Sequence, residues 1–351
     1  MVFFDASKEW TILLPSDIEH AKKAAADLSR YIGLLASTND ASKAPPIVDA
    51  LDPSPEGTII VLSSDGHTYE RNGFSWRAGE DRVEISGESD RGLCNGIYSF
   101  LAALGISWPA PGQEELPSPP SEAKGGARLF PLASADAFSL SEGASPPLAA
   151  HLQRYIPEGK NEIKQLLKKS EAFVEWAARR RYDAIVFPLA AYASGSTSRK
   201  LRQLAQFAGE YGIVPEAGGC ELTSLVPRRY FLLHRDFFRM DDGKRKKDHH
   251  FCPTNPDVTR LIAKEGERLF RSVPEAAVIH LWPDKGAETA WCSCPTCRAF
   301  SSLEQNRIAI NAAADALAAL NRDTLIFYSE KPGEGGKIKP RKNTFSLGEL
   351  P

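Results

Sequence analysis

The sequence has almost no net charge and no long hydrophobic run. Its 351 residues carry 43 basic and 45 acidic side chains, a net charge of -2. No overall basic field is therefore available to hold nucleic acid through its phosphates. No run of roughly 18 apolar residues occurs, so the sequence predicts no membrane-spanning helix. We expect neither a nucleic-acid nor a membrane partner.

The N-terminal residues also lack the pattern of a secretory signal. They include Asp5, Lys8 and Glu9, whereas a signal peptide has a basic start followed by a long apolar segment. The sequence as written predicts a cytoplasmic protein. An extracytoplasmic location is expected if a leader has been removed.

Cysteines are few and unevenly placed. Of the six, Cys94 and Cys220 stand alone, and the others lie in the last third of the chain. A disulfide framework would be spread more evenly, and a chain of this size does not need one. The clustering indicates a metal or redox site instead.

The strongest local motif is C-x-C-x-x-C, formed by Cys292, Cys294 and Cys297. Three thiols at this spacing can point inward from one loop, and a tetrahedral zinc needs a fourth ligand. Cys252 is the first candidate, and His249 or His250 is the alternative. Such a site would be structural, because four protein ligands leave no open position. The other interpretations are free thiols on a surface loop and, less favoured, a redox relay.

Composition and periodicity divide the chain into two α/β domains. Residues 1–112 read strand, helix, strands, helix, which predicts a small α/β sandwich domain. Residues 113–128 are rich in proline and predict a linker. From 129 to 335 short apolar runs alternate with helical patterns, which predicts a (β/α) barrel of the TIM type. Residues 336–351 read as an irregular tail.

Local patterns also predict where individual elements begin and end. Ser16 and Glu19 have the spacing of a capping box at the start of the first helix. The alternation in 73–78 and 82–86 predicts a hairpin, and a second helix from about Asp90 is expected to end at Gly105. In the second domain, Asn255 followed by Pro256 predicts the start of a helix.

The predicted barrel is incomplete. We count about five βα units, where a closed barrel needs about eight. The missing units would leave open strand edges, so a homo-oligomer that covers them is one hypothesis.

Asp284 is the first candidate for chemistry, because it follows a predicted strand over 277–282. The carboxyl ends of barrel strands face the active site, so Asp284 is placed to act as a general acid, a base or an electrostatic group. Lys285 beside it would keep a carboxylate ionised. The alternative is an ordinary turn aspartate before Gly286.

Further candidates lie at the ends of other predicted strands or carry aromatic rings that stack on sugars. Each of them has an alternative role, as a solvated loop acid or a core residue. The candidate carboxylates are Glu216 and Glu330, and the candidate binding residues are Trp282, Trp108, Tyr328, Lys285 and Cys220.

Several segments together resemble a known bacterial family. Phe251-Cys252-Pro253-Thr254-Asn255-Pro256, the segment 218–220, the segment 230–245 and the Trp291–Cys297 motif look like the domain of unknown function 4838. The segments 86–92, 98–101 and 105–112 resemble the non-catalytic α/β domain of hexosaminidases and α-glucuronidases. The resemblance implies a glycoside-hydrolase-type barrel and a carbohydrate ligand.

The chain departs from that family at two places. Cys220 stands where the family usually has histidine, and Pro283-Asp284-Lys285-Gly286 stands where it usually has Asn-Asp-Gly. The sequence therefore leaves three hypotheses. The first is a glycosidase with Asp284 as the acid, assisted by Glu330 or Glu216. The second is a non-catalytic carbohydrate-binding protein or inactive truncated hydrolase, and the third is a zinc-stabilised scaffold.

Overall fold

The computed structural model describes residues 2–36, 43–50, 57–67, 72–118, 128–132, 135–138, 154–157, 165–192, 195–274, 276–284, 286–320, 324–330 and 336–346. By their contacts the residues form two compact units. The first comprises Met1–Ile185 with Arg202–Val214, and the second comprises Val186–Leu201 with Pro215–Pro351. No helix in the described ranges is long and apolar enough to cross a membrane.

The first unit begins with a mixed sheet and two helices. Its elements are β1 (Val2–Asp5), β2 (Trp10–Leu14), α1 (Lys22–Ala36), β3 (Ile47–Asp49), β4 (Thr58–Ser64), β5 (Phe74–Ala78), β6 (Arg82–Gly87), α2 (Asp90–Ala103), β7 (Leu129–Leu132) and β8 (Ala135–Phe138). The six-stranded sheet has the order β3-β2-β4-β6-β5-β8. The predicted hairpin is confirmed as the antiparallel pair β5 and β6.

Helix α2 packs against this sheet through a largely apolar face. Leu93, Ile97, Phe100 and Leu101 are all completely buried, and the ring of Phe100 meets that of Trp76 from β5 edge-on at 5.5 Å. Gly105 follows the helix at φ +93°, a left-handed conformation that glycine adopts without strain. The predicted helix and its glycine end are confirmed.

The segments Leu129–Leu132 and Ala135–Phe138 form strands of the first unit. β7 pairs antiparallel with β1, and β8 pairs antiparallel with β5 at the edge of the mixed sheet. Among the described residues, the parallel strands therefore begin at β9 (Arg154–Tyr155), later than residue 129, the expected start of the barrel. Because short antiparallel strands carry little periodic signal, the sequence did not separate these two roles.

A second sheet of six strands follows. Its elements are β9, α3 (Ser170–Arg179), β10 (Ala184–Phe187), α4 (Leu189–Tyr192), α5 (Gly195–Gly209), β11 (Val214–Gly219), the hairpin β12 (Met240–Asp241) and β13 (Lys244–Arg245), α6 (Pro256–Phe270), β14 (Val278–Leu281), α7 (Ser302–Ala318), β15 (Leu325–Tyr328) and β16 (Thr344–Ser346). The order is β16-β15-β14-β11-β10-β9, with β12 and β13 in a sheet of their own.

Strands of the second sheet alternate with helices along the chain, as in a (β/α) barrel. Among the described residues, β9 and β16 are its edge strands. The strand pairs are parallel at β10 with β9, β11 with β14, β14 with β15, and β15 with β16. β16 lies in the segment expected to be irregular, so the tail contributes a sixth strand. Helix α6 begins as predicted: the side chain of Asn255 accepts a hydrogen bond from the amide of Asp257 at 2.9 Å, with proline at the first position.

Candidate functional site

β11 and β14 run side by side, and their carboxyl ends carry several of the predicted site residues. Gly218 pairs with His280 in the register of the two strands. Gly218 has φ +119°, and a Cβ atom there would lie 1.9 Å from the carbonyl oxygen of His280. Only glycine fits this close approach. The paired glycines thus bring the two strand ends together.

Glu216 and His280 form an acid–base pair inside this sheet. Oε2 of Glu216 lies 2.7 Å from Nε2 of His280, and both side chains are fully buried. Glu216 was expected as a candidate carboxylate, but His280 was missed. The available signal was a histidine inside a buried strand. A lone histidine there gives no indication of its partner, which is 64 residues away in the sequence.

Trp282 continues the strand pairing beyond the end of β14. Its amide donates to the carbonyl of Gly219 at 2.9 Å, and its ring packs 4.9 Å from that of His280. The side chain is only 3% exposed, so it offers no open ring face to a sugar. Its buried indole N–H has no hydrogen-bond partner among the described residues.

Asp284 lies in the loop after β14 and is partly exposed. One carboxylate oxygen accepts a hydrogen bond of 2.8 Å from the hydroxyl of Thr223, which lies in a short 3-10 helix after β11. No second donor among the described residues reaches this carboxylate. The amide of Ala287 donates to the carbonyl of Asp284 at 3.0 Å and closes a turn. Lys285 lies outside the described residues.

Two basic side chains lie near Asp284. Burial lowers the pKa of Arg228, and the carboxylate of Asp284 opposes that shift. Arg228 donates to the carbonyl of His249. Burial also lowers the pKa of His250, again opposed by Asp284. Asp284 thus interacts electrostatically with a guanidinium and with an imidazole, and burial lowers the pKa of both groups.

Glu330 forms an ion pair with Arg307. Its two oxygens lie 2.5 Å and 2.9 Å from the guanidinium of Arg307 in α7, and both side chains are largely buried. Tyr328 is 2% exposed, and burial, together with a hydrogen bond to Glu330, raises its pKa to about 12. Glu330 is thus engaged by Arg307 in the structure.

Two predicted candidates for sugar contact remain, Cys220 and Trp108. Cys220 is exposed immediately after β11. Trp108 lies in the core of the first unit, only 4% exposed, and its indole N–H donates to the hydroxyl of Tyr31 at 2.7 Å. It therefore packs the first unit and presents no ring face to a ligand.

The four predicted thiols come together in one buried cluster. The Sγ atoms of Cys252, Cys292, Cys294 and Cys297 all lie within 4.8 Å of one another. Sγ of Cys252 lies 3.7 Å from that of Cys294 and 3.6 Å from that of Cys297. Four sulfurs at about 2.3 Å from a tetrahedral zinc are about 3.8 Å apart. The spacing of this thiol cluster fits such an ion.

Neither alternative histidine ligand belongs to the thiol cluster. The ring of His250 donates to the carbonyl of Ala287 at 2.8 Å, because a carbonyl can only accept. The group of metal-binding side chains found among the described residues contains Cys252 and neither histidine. This outcome favours the all-cysteine set.

The polypeptide around the thiol cluster is held by one glutamine. Gln305 of α7 donates to the carbonyls of Cys292 at 3.1 Å, Cys297 at 3.3 Å and Phe300 at 3.3 Å. Its side-chain oxygen accepts from the amide of Cys292 at 3.1 Å. Sequence analysis missed Gln305, since nothing in its local pattern marks it.

Hydrogen bonds also reach the sulfurs themselves. The amide of Met240 lies 3.2 Å from Sγ of Cys292, and the hydroxyl of Thr254 lies 3.0 Å from Sγ of Cys297. Hydrogen bonds from neighbouring thiols lower the pKa of Cys252, and the same contacts raise the pKa of Cys297. Ionisation of Cys252 thus makes ionisation of the neighbouring thiols less favourable. A bound cation removes this conflict, because it stabilises all four thiolates together.

Comparison with protein-family models finds no match, and a search of curated proteins also finds none. The predicted membership of the domain of unknown function 4838 is therefore not confirmed and stays a prediction. Solved structures do match. Flavobacterium johnsoniae chitobiase, a GH20 enzyme, has a TM-score of 0.54 at 13% identity, covering 98% of this chain and 52% of that one.

Two further GH20 structures match in the same way. The exo-β-N-acetylglucosaminidase of Vibrio harveyi has a TM-score of 0.52 at 12% identity, covering 98% of this chain and 54% of that one. The β-N-acetylhexosaminidase of Streptomyces coelicolor A3(2) has a TM-score of 0.52 at 11% identity, covering 98% and 66%. The chain spans between about half and two thirds of these structures. It has a fold similar to that of GH20 glycoside hydrolases.

Proposed function

We propose that this chain is a glycoside hydrolase in which Asp284 is the reactive carboxylate. One observation carries the proposal: Asp284 follows a parallel strand of a GH20-like fold, with one oxygen held by Thr223 at 2.8 Å and the other facing no described donor. Carboxylates at the carboxyl ends of such strands face the reaction site. A carboxylate held in this way can accept or deliver a proton at a glycosidic oxygen.

The substrate to test first contains an N-acetylated amino sugar, because the solved structures of similar fold act on N-acetylhexosamine linkages. Glu216 and His280 lie deeper in the same sheet. Their pairing supports an electrostatic role behind the reacting bond, in which the imidazole transmits the charge of Glu216 toward the strand end. Cys220 and Arg228 would then border the bound glycan.

The test is turnover by the purified chain on aryl glycosides of N-acetylhexosamine, of uronic acid and of neutral sugars. The proposal predicts release of the aryl alcohol from at least one N-acetylhexosaminide. Absence of turnover across the panel, with the protein folded and its metal content verified, would overturn it.

The other two candidate carboxylates are both engaged by basic side chains, and this favours a second function. Glycoside hydrolysis usually uses two carboxylates that flank the bond. Glu330 is paired with Arg307, and Glu216 is paired with His280 and fully buried. A non-catalytic carbohydrate-binding protein would need neither. It predicts measurable affinity for an oligosaccharide without turnover.

We also propose that the thiol cluster binds one zinc ion with a structural role. The four buried sulfurs, their spacing and the hydrogen bonds from Met240 and Thr254 support it. Cys252, Cys292, Cys294 and Cys297 would each supply one thiolate. A zinc ion held by four thiolates has no open position for a substrate, so its contribution is stability.

Metal analysis tests the zinc proposal. Purified protein should contain about one zinc per chain. Cys294→Ser should lower both the zinc content and the melting temperature, whereas Cys94→Ser, at a buried thiol outside the cluster, should leave the zinc content unchanged. Fully folded protein that takes up no zinc would contradict the proposal.

A further inference from the structure

The thiol cluster and the turn that carries Asp284 are connected through two rings. His250 lies two residues before Cys252, and Trp291 lies immediately before Cys292. The imidazole of His250 stacks on the indole of Trp291, with ring centroids 4.2 Å apart and an interplanar angle of 12°. Two segments that each end in a thiol of the cluster are therefore joined face to face.

His250 reaches from this stack to the turn. Its side chain is completely buried, and Nε2 lies 2.8 Å from the carbonyl oxygen of Ala287. Because a carbonyl oxygen can only accept, Nε2 carries the proton and donates it to this bond. The tautomer of His250 is thus fixed by its partner.

Ala287 in turn closes the backbone around Asp284. Its amide donates to the carbonyl of Asp284 at 3.0 Å, and its carbonyl accepts from the amide of Ala290 at 2.9 Å as well as from His250. Gly286 has φ +78°, the left-handed conformation that such a turn requires. A shift of Ala287 would therefore move the backbone of Asp284.

Trp291 holds the far end of the same loop. Its indole N–H donates to the carbonyl of Glu288 at 2.9 Å, and Phe251 packs against its ring edge-on at 5.9 Å. The loop between Asp284 and Cys292 is thus anchored at Ala287 by His250 and at Glu288 by Trp291. His250 lies two residues before Cys252, and Trp291 directly precedes Cys292.

We propose that His250 is a positioning residue through which metal binding at the thiol cluster sets the geometry of the Asp284 turn. Closing the cluster around an ion fixes Cys252 and Cys292, and with them the stacked rings of His250 and Trp291. The His250 hydrogen bond then holds Ala287, and Ala287 holds Asp284. The inference rests on the proposed function of Asp284 and on the proposed zinc site. It adds that the geometry around Asp284 depends on zinc binding at the thiol cluster.

The test follows amide hydrogen exchange by mass spectrometry in peptides covering residues 286–291, in the full chain, with zinc bound and after removal of zinc by a chelator. His250→Phe keeps a ring that can stack on Trp291 but loses the donor. His250→Gln keeps an N–H donor. His234→Phe is the matched control, because His234 stacks on Phe237 at 4.6 Å on the exposed surface.

We expect exchange in residues 286–291 to accelerate about tenfold after zinc removal and in zinc-loaded His250→Phe. Exchange in β4 (Thr58–Ser64) should stay unchanged. His250→Gln should restore part of the protection, and His234→Phe should behave as wild type. Zinc content should be unchanged in His250→Phe. On a substrate that is turned over, His250→Phe should lower kcat and leave KM nearly constant.

Two results would overturn the inference: unchanged exchange after zinc removal, or unchanged exchange in His250→Phe. Wild-type protein that takes up no zinc would remove the zinc proposal and this inference together. Failure of the hydrolase proposal looks different, because a protein without turnover would still show the exchange changes in residues 286–291.

Discussion

The carboxylate of Glu216 lies 2.7 Å from Nε2 of His280, and neither side chain has any exposed surface. The pair joins β11 to β14 at the point where Gly218 allows the two backbones to approach closely. The ring of His280 also packs against Trp282, which follows the end of β14.

Substitution of this pair should show strong coupling. Glu216→Gln and His280→Gln should each lower the free energy of unfolding, by about 1–3 kcal/mol. The double variant should be less destabilised than the sum, with an interaction energy of about 1 kcal/mol or more. Urea unfolding followed by circular dichroism measures all three values. Glu267→Gln, which breaks an exposed pair with Arg271, should cost under about 0.5 kcal/mol. Additive effects at Glu216 and His280 would contradict the coupling.

Gln305 should be required for the loop that carries three of the thiols. Gln305→Leu removes the hydrogen bonds to the carbonyls of Cys292, Cys297 and Phe300. These carbonyls then lose the donor that Gln305 supplies. We expect the free energy of unfolding to fall by about 3 kcal/mol and zinc to dissociate more readily under chelator competition. Gln206→Leu, at an exposed position of α5, is the control and should retain wild-type zinc affinity. Equal zinc affinity in both variants would argue against this role of Gln305.

A buried ionic network stabilises the first unit. Arg91 is 1% exposed and Asp183 2% exposed, with 3.4 Å between Nε and Oδ1. Asn72 and Asn95 donate to the same carboxylate at 2.6 Å and 2.9 Å. Asp183→Ala leaves the arginine uncompensated, so it should cost about 3–5 kcal/mol. Thermal and urea unfolding measure the loss. Asp315→Ala, at an exposed pair with Arg341, should cost at most about 1 kcal/mol, and similar losses in the two variants would refute the argument from burial.

The segment expected to be a linker contributes a pH-dependent contact. Glu114 accepts hydrogen bonds from Arg30 at 2.8 Å and 3.0 Å and from Tyr31 at 2.6 Å. These contacts lower the pKa of Glu114 to about 2, and the hydrogen bond from Arg30 contributes most. A depressed carboxyl pKa stabilises the fold above its unfolded-state value of about 4.3, and the contribution is lost as the pH falls toward about 2.

Glu114→Gln should therefore destabilise the protein at pH 7, and the difference from wild type should shrink between about pH 4.3 and pH 2. Because Glu114 and Arg30 are each 37% exposed, solvent screening limits the effect to about 1 kcal/mol. Urea unfolding of both proteins at fixed ionic strength measures it. A difference that grows as the pH falls would have the wrong sign.

Sequence reasoning succeeded where the signal was local. The C-x-C-x-x-C spacing predicted the thiol loop, and Asn255 with Pro256 predicted the start of α6. Both patterns act within a few residues of one another, so a linear sequence displays them. A similar pattern at Ser16 and Glu19 suggested a capping box, yet helix α1 begins later, at Lys22. The capping box that forms is at Ser301 and Glu304, at the start of α7.

Contacts between distant segments could not be predicted. Glu330 forms an ion pair with Arg307, 23 residues away in the sequence. Trp108 is buried by residues that only the fold brings together. β16 is three residues long in a tail rich in lysine and proline, too short for a period of two to be visible. Aromatic residues were interpreted as sugar contacts because type alone does not separate core packing from binding.

The central claim is that Asp284 performs chemistry on a glycan, and one comparison tests it most directly. kcat/KM of Asp284→Asn is measured against wild type and against Asp242→Asn, on the N-acetylhexosaminide that is turned over best. Asp242 is an exposed aspartate at φ 48°, a conformation that asparagine also tolerates. The account predicts a loss of about 100-fold or more for Asp284→Asn and wild-type rates for Asp242→Asn. Equal rates for wild type and Asp284→Asn would contradict it.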